Sequence, residues 1–174
     1  MIALEKYIRD IPDFPKKGIV FKDITPLLGN HQALSQAVAM LAEPFAKAGV
    51  DVVAGIESRG FIFGSLVANY LGVGFVPIRK PGKLPYKTVK CSYDLEYGSD
   101  SVEMHTDAIA AGQKILLVDD LIATGGTMQA ACKLIEQLGG AIVGLSFVVE
   151  LSFLSGRSKL APHKVHSLIK VESE

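Results

Sequence analysis

Apolar runs without polar interruption alternate, along this chain, with stretches whose apolar residues recur every three or four positions. That alternation predicts an α/β fold, a doubly wound and mostly parallel sheet flanked by helices. A second observation points the same way. The apolar runs end in short segments rich in glycine and charge, and sheets of this kind bind ligands at the carboxyl ends of their strands. The 174 residues suit one domain with a sizeable core.

Leu4, Tyr7, Ile8 and Ile11 fit one face of a short helix, which Pro12 and Pro15 stop. A loop through Gly18 and an extended piece at Ile19-Val20-Phe21 follow. From residue 31 to about 48, Leu34, Val38, Leu41 and Phe45 keep a helical period, and Pro44 implies a kink or an early end. His31 is expected at the surface. Val50-Asp51-Val52-Val53-Ala54-Gly55-Ile56 is the first sheet strand. It runs into Glu57-Ser58-Arg59-Gly60, after which Phe61, Phe63, Leu66, Val67 and Leu71 continue as helix. Gly74-Phe75-Val76-Pro77-Ile78 is a further strand. Residues 79–104 then lack core periodicity, with pairing expected between 92–98 and Val102-Glu103-Met104. A segment of that length is either disordered or a lid. Beyond the central motif, Ala141-Ile142-Val143-Gly144-Leu145-Ser146-Phe147-Val148-Val149 is a buried strand, and residues 165–171 alternate as an edge strand. Arg157, Lys159 and Lys164 read as surface residues, and His163 and His166 are too isolated to assign to catalysis.

The totals exclude several classes. Eighteen basic residues balance eighteen acidic ones, so non-specific binding to nucleic acid or to a membrane surface is not expected. No apolar run approaches a membrane span, and charges fall too early at the N-terminus for the apolar core of a signal peptide. The two cysteines, Cys91 and Cys132, have neither zinc nor C-x-x-C spacing; Cys132 falls on a helix as a core residue. A reducing, cytoplasmic setting is the default for such a chain.

The chemistry concentrates in Ile115-Leu116-Leu117-Val118-Asp119-Asp120-Leu121-Ile122-Ala123-Thr124-Gly125-Gly126-Thr127. Four uninterrupted apolar residues read as a strand buried on both faces. The adjacent carboxylates Asp119 and Asp120 sit where that strand is expected to end. The glycine turn lets backbone N–H groups close on an anion, and the helix expected from Met128 adds unpaired donors and a positive dipole end. Thr124 and Thr127 add hydroxyls. Carboxylates repel phosphate, so Asp119 and Asp120 suit two vicinal sugar hydroxyls or a hydrated Mg²⁺. A ribose bearing a 5′-phosphate satisfies both halves. In the other turn, Arg59 can grip phosphate oxygens through two parallel hydrogen bonds, or simply balance Glu57 at the surface.

The stretch from Val118 to Thr127 resembles the phosphoribosyl pyrophosphate signature of type I phosphoribosyltransferases. Three further stretches are similar to the adenine phosphoribosyltransferases of that group: Phe14-Pro15 with residues 18–24 and Pro26; Glu57-Ser58-Arg59-Gly60-Phe61; and the pair formed by residues 79–85 and Tyr93-Asp94-Leu95-Glu96-Tyr97-Gly98. The resemblance implies a type I phosphoribosyltransferase-like domain across the chain, with a small N-terminal hood over 1–30, a core over 31–174 and a flexible lid hairpin over 79–104. It implies Mg²⁺-dependent transfer of the phosphoribosyl group from phosphoribosyl pyrophosphate to adenine, giving AMP and pyrophosphate. Carried over residue by residue, Ala123, Thr124, Gly125, Gly126 and Thr127 take the 5′-phosphate. Asp119 and Asp120 take the ribose, with Mg²⁺ held through substrate and water. Glu57, Ser58, Arg59 and Gly60 form the pyrophosphate loop, which in the family usually holds a cis peptide, with Arg59 also in the catalytic set. Arg79, Lys80, Lys83 and Tyr97 belong to the lid. Val20, Phe21, Lys22 and Leu121 surround adenine, though Lys22 stands where Arg is common. Glu96 closes over the site as a proton carrier for the purine nitrogen. A homodimer is implied as well. Rival readings are the same transfer to xanthine or guanine, a phosphoribosyl pyrophosphate-sensing repressor, and a structural protein that keeps only the fold.

Overall fold

The protein is described here by a computed structural model covering residues 2–94 and 99–173. In chain order its elements are β1 (Arg9–Ile11), β2 (Phe21–Asp23), α1 (Thr25–Leu28), α2 (His31–Ala42), β3 (Val52–Ile56), α3 (Arg59–Leu71), β4 (Gly74–Ile78), β5 (Thr88–Asp94), β6 (Ser99–His105), β7 (Lys114–Ile122), α4 (Gly126–Gln137), β8 (Ala141–Leu151) and β9 (Val165–Val171). Five strands form one parallel sheet in the order β4-β3-β7-β8-β9, so β9 is an edge as its alternation predicts. The chain turns outward from β3 to β4 and later returns on the other side of β3 with β7. The carboxyl ends of β3 and β7 therefore flank the point where winding direction reverses, the usual ligand crevice of such sheets.

Alternation along the strands builds two cores. Ile115 and Leu117 of β7 face a cluster with Ile78, Val102, Met104 and the buried side of α4. Leu116 and Val118 face the other, with Val38, Leu41, Phe45, Phe63 and Val67. Both faces of the sheet are thus covered, which explains why its middle strands read as unbroken apolar runs. Asn30 caps α2 by accepting a hydrogen bond from Ala33 N at 2.9 Å. Pro44 ends that helix early: α2 stops at Ala42, and Glu43–Phe45 form a single 3₁₀ turn.

Several expectations need correction. Only Leu4–Tyr7 turns helically at the N-terminus; Arg9–Ile11 then pair with Phe21–Asp23 as a small antiparallel ribbon. The short apolar spacing there serves a strand whose partner lies beyond the proline loop, a pairing that periodicity does not display. The hairpin extends over Thr88–Asp94 and Ser99–His105, longer than expected. Its base is not devoid of core: Val102 and Met104 are fully buried against the sheet and α4. Finally, β7 runs on through Ile122, so Asp119 and Asp120 lie inside the strand and not after it.

Candidate active site

Asp119 and Asp120 are carried on the second half of β7, where alternation sends them to different surroundings. Asp120 is buried, whereas Asp119 keeps an opening to solvent and accepts the Asp120 N–H at 2.9 Å through its Oδ1. Burial pushes the ionisation of both carboxyls upward. Asp119 lies well above the usual carboxylate range because the Asp120 charge adds to its burial, while the Arg59 guanidinium partly offsets the shift at Asp120. Arg59 Nη2 approaches Asp120 Oδ2 to 2.7 Å, an ionic contact off the axis of a hydrogen bond, so that buried oxygen has no hydrogen-bond partner.

The chain leaves β7 through Ala123 and Thr124 and enters α4 at Gly125. Gly125 has φ +78°, a left-handed conformation that side chains disfavour, and it supplies no side-chain cap to the helix. The first-turn N–H groups of α4 are consequently left to the crevice. Thr127 donates its hydroxyl to Tyr93 Oη on β5 at 3.0 Å.

The second turn comes from β3. The Glu57–Ser58 peptide is cis, as the resemblance implies for this loop. Gly60, in the first turn of α3, abuts Asp119: a Cβ at Gly60 would lie 2.5 Å from Asp119 Oδ1. Glycine is required there because helix and acidic strand end approach so closely. Arg59 reaches from α3 to the N-terminal hood. Its Nη1 donates to Lys22 O at 3.4 Å, and its guanidinium lies 4.9 Å from the centre of the Phe21 ring. Phe14 packs edge-to-face on Phe21 with centroids 5.2 Å apart.

These elements enclose a cavity of about 430 Å³ lined by Phe21, Glu57, Ser58, Arg59, Lys80 and the whole run from Asp119 to Thr127, with Ile56, Met128 and Phe147 behind them. Hence most of the residues expected at the site come together. Val20 and Lys22 do not line the cavity; the Lys22 ammonium donates to Asp10 at 2.8 Å, consistent with a chain that lacks arginine's fork there. Arg79 and Lys83 also stand back from it, donating to the buried Glu57 at 2.8 and 2.7 Å. Although burial opposes it, these hydrogen bonds from Lys83 and Arg79 hold the Glu57 carboxyl below its usual range. Lys80 is paired with Asp100 and Tyr93. Glu96 and Tyr97 lie outside the described residues.

Two contributors escaped sequence reasoning. Tyr93, which stands in one of the family-like stretches without a role of its own, touches both Thr127 and Lys80. Arg157, expected at the surface, instead donates to the buried Glu150 at 2.8 and 2.5 Å. No local pattern marks that pair, because its partners come from different elements.

Comparison with known proteins decides the family. A model described as the phosphoribosyl transferase domain matches residues 27–169. An adenine phosphoribosyltransferase of Nitrosococcus oceani is 56% identical over 169 residues, covering 97% of this chain and 99% of the relative. This chain belongs to the adenine phosphoribosyltransferase family. The crystal structure of the adenine phosphoribosyltransferase of Thermoanaerobacter pseudethanolicus superposes with a TM-score of 0.94 at 52% identity, over 97% of this chain and 98% of that one. The Saccharomyces cerevisiae adenine phosphoribosyltransferase, solved with adenine and an imino-altritol bisphosphate, gives 0.88 at 46% identity, covering 95% of this chain and 96% of its own. The parallel sheet flanked by helices is therefore the phosphoribosyltransferase fold, and the chain is a transferase.

Proposed function

We propose that this chain transfers the phosphoribosyl group of phosphoribosyl pyrophosphate to adenine, forming AMP and releasing pyrophosphate, the reaction of purine salvage. The observation that carries the residue-level reading is the junction of the acidic pair with an uncapped helix start in one cavity that Phe21 also lines. The 5′-phosphate rests on the amides of Ala123, Thr124, Gly125, Gly126 and Thr127. Asp119 and Asp120 accept the ribose hydroxyls. Adenine lies between the Phe21 ring and Leu121, with main-chain groups near Val20 reading its edge.

Pyrophosphate binds near Ser58, Gly60 and Arg59, and draws Arg79, Lys80 and Lys83 from Glu57 and Asp100. Exchange of one anionic partner for another leaves those cations paired in both states. Asp119 and Asp120 would hold a hydrated Mg²⁺ through water, as carboxylate oxygens suit this cation, although Asp120 Oδ2 is already ion-paired with Arg59 at 2.7 Å. Among the described residues no three histidine, cysteine, aspartate or glutamate side chains converge, so substrate oxygens and water would complete its shell. When bound, it neutralises charge on the departing pyrophosphate.

The ring nitrogen of adenine bonds to the sugar carbon as the bond from that carbon to pyrophosphate oxygen breaks, through an oxocarbenium-like state. The nitrogen's proton passes to the Glu96 carboxylate, and Tyr97 donates to phosphate. No protein nucleophile is needed, because positioning and exclusion of water by the hairpin lower the barrier. Cytoplasmic residence fits the free thiols Cys91 and Cys132, the latter pushed up to about 12 by burial. A homodimer belongs to the same reading, with Ile62 and Tyr70 of α3 exposed on one monomer.

The deciding experiment mixes the protein with Mg²⁺, phosphoribosyl pyrophosphate and adenine, hypoxanthine, guanine or xanthine in turn, and detects nucleotide by chromatography. AMP alone is expected; a preference for an oxopurine would overturn the assignment of the base. Glu96→Gln should lower kcat by about 10²-fold or more with little change in KM. Unchanged turnover would remove Glu96 from the proton role.

A further inference from the structure

The turn after β8 presses on the phosphate cradle from beneath. Gly156 is buried there, and the close approach is mutual. A Cβ on Gly125 would lie 2.5 Å from Gly156 O. One on Gly156 would lie 2.8 Å from Gly125 N and well inside contact with Ala123 O. Two backbones this near admit no side chain between them, so the height of the Gly156 turn sets how far the Ala123–Gly125 backbone can sink.

The turn is itself held from three sides. Arg157 gives Nε and Nη2 to the two oxygens of Glu150 on β8, at 2.8 and 2.5 Å, and Nη1 to Val165 O at the start of β9, at 2.8 Å. Ser167 Oγ donates to Glu150 Oε2 at 2.7 Å, completing the carboxylate's partners. The Arg157 guanidinium holds the Glu150 carboxyl below its usual range. On the other side, Gln129 of α4 donates to Lys159 O at 3.3 Å, and Leu160 is buried against the same helix. A bidentate arginine fixes both distance and angle, unlike a lysine at the same place.

We propose that Gly156 and Arg157 are positioning residues for phosphate recognition: the Glu150–Arg157 pair fixes the Gly156 turn, and the turn holds the Ala123–Gly125 amides at the height from which they meet the 5′-phosphate. This rests on the phosphate seat argued above. Neither residue touches the ligand. Their contribution is a backbone placement accurate enough for charge-assisted hydrogen bonds, which weaken steeply with misalignment.

The test compares affinities for AMP and adenosine on the full chain by titration calorimetry, since their ratio isolates what the phosphate contributes. The parent protein is expected to prefer AMP strongly; absence of that preference would sink the phosphate seat itself, a different failure from that of the turn. Arg157→Lys is expected to reduce the AMP-to-adenosine preference by about tenfold, as loss of one well-placed hydrogen bond does, with adenosine affinity unchanged. Gly156→Ala, if it folds, is expected to reduce it by more than Arg157→Lys does, because its Cβ clashes directly with the Ala123–Gly125 backbone. Arg157→Lys alone decides the matter should the alanine variant not fold. A preference kept within about twofold of the parent in Arg157→Lys overturns the proposal, and so does an equal loss of affinity for both ligands, which marks a merely structural role.

Discussion

Asp119 and Asp120 stand side by side within β7, where burial pushes both carboxyls upward and the Asp120 charge raises Asp119 further. A carboxyl whose folded pKa exceeds its unfolded value near 3.8 favours the protonated fold. Its stabilising contribution is complete below that value and is lost as pH rises through the folded pKa. At neutral pH, far above the unfolded value, the pair therefore destabilises the protein that needs it. Asp119→Asn keeps an oxygen for the Asp120 N–H and removes one charge. It is expected to raise Tm at pH 7 by roughly 2–8 °C, about 1–2 kcal/mol for a chain of this size, while nearly abolishing AMP formation. The gain should vanish in melts recorded below pH about 4, where both proteins are neutral at this position. A variant no more stable than the parent at pH 7 would contradict the assigned direction. The place of this pair beside a glycine turn that enters a helix was legible in the sequence. That they lie within the strand was not, since hydrogen bonding to β8 continues past the residues whose polarity suggests an end.

Hairpin β5–β6 joins two roles that its composition presents as one. Its cations and breakers read as a mobile cover, yet Val102 and Met104 anchor its base in the core and Tyr93 hydrogen-bonds to Thr127, Lys80 and Asp100. Met104→Ala should cost about 2–5 kcal/mol in urea denaturation, as truncation of a fully buried methionine does; a cost under about 0.5 kcal/mol, the size of a surface change, would show the base detached from the core. The helical and strand periods of α2, α3, α4 and the sheet were readable because each buries a continuous face. The N-terminal ribbon and the long hairpin were not, because their pairing partners are separated by loops whose length the local pattern does not encode.

Across the molecule, acid acts on two opposed sets of carboxyls. Asp23, held at about 2 chiefly by its bonds to Thr25, and Glu57, Asp100 and Glu150, held low by their cationic partners, favour the fold when ionised. Their folded pKa values lie below the unfolded ones, so their contribution is present above about pH 4 and lost as pH falls through the lowered values. The aspartate pair changes in the opposite sense and over a higher interval, between about pH 4 and its own raised values. Denaturant titrations should thus show stability falling below about pH 4, where the first set loses its contribution and the aspartate pair has no more to gain. Stability that stays level or rises below about pH 4 would contradict the directions assigned to Asp23, Glu57, Asp100 and Glu150.

Those charge partnerships mark the division between what a linear chain declares and what folding decides. By itself the sequence determined the α/β alternation, the two strand-to-turn-to-helix units and the chemical kinds of group each unit offers, because propensity, period and turn chemistry depend on near neighbours. Only the tertiary structure decided that Arg59 lies between Asp120 and Phe21, that Glu57 holds Arg79 and Lys83, and that Gly156 sits beneath Gly125. Each of those contacts joins residues brought together by the packing of whole elements across the sheet, and no local pattern records where a distant element will come to rest.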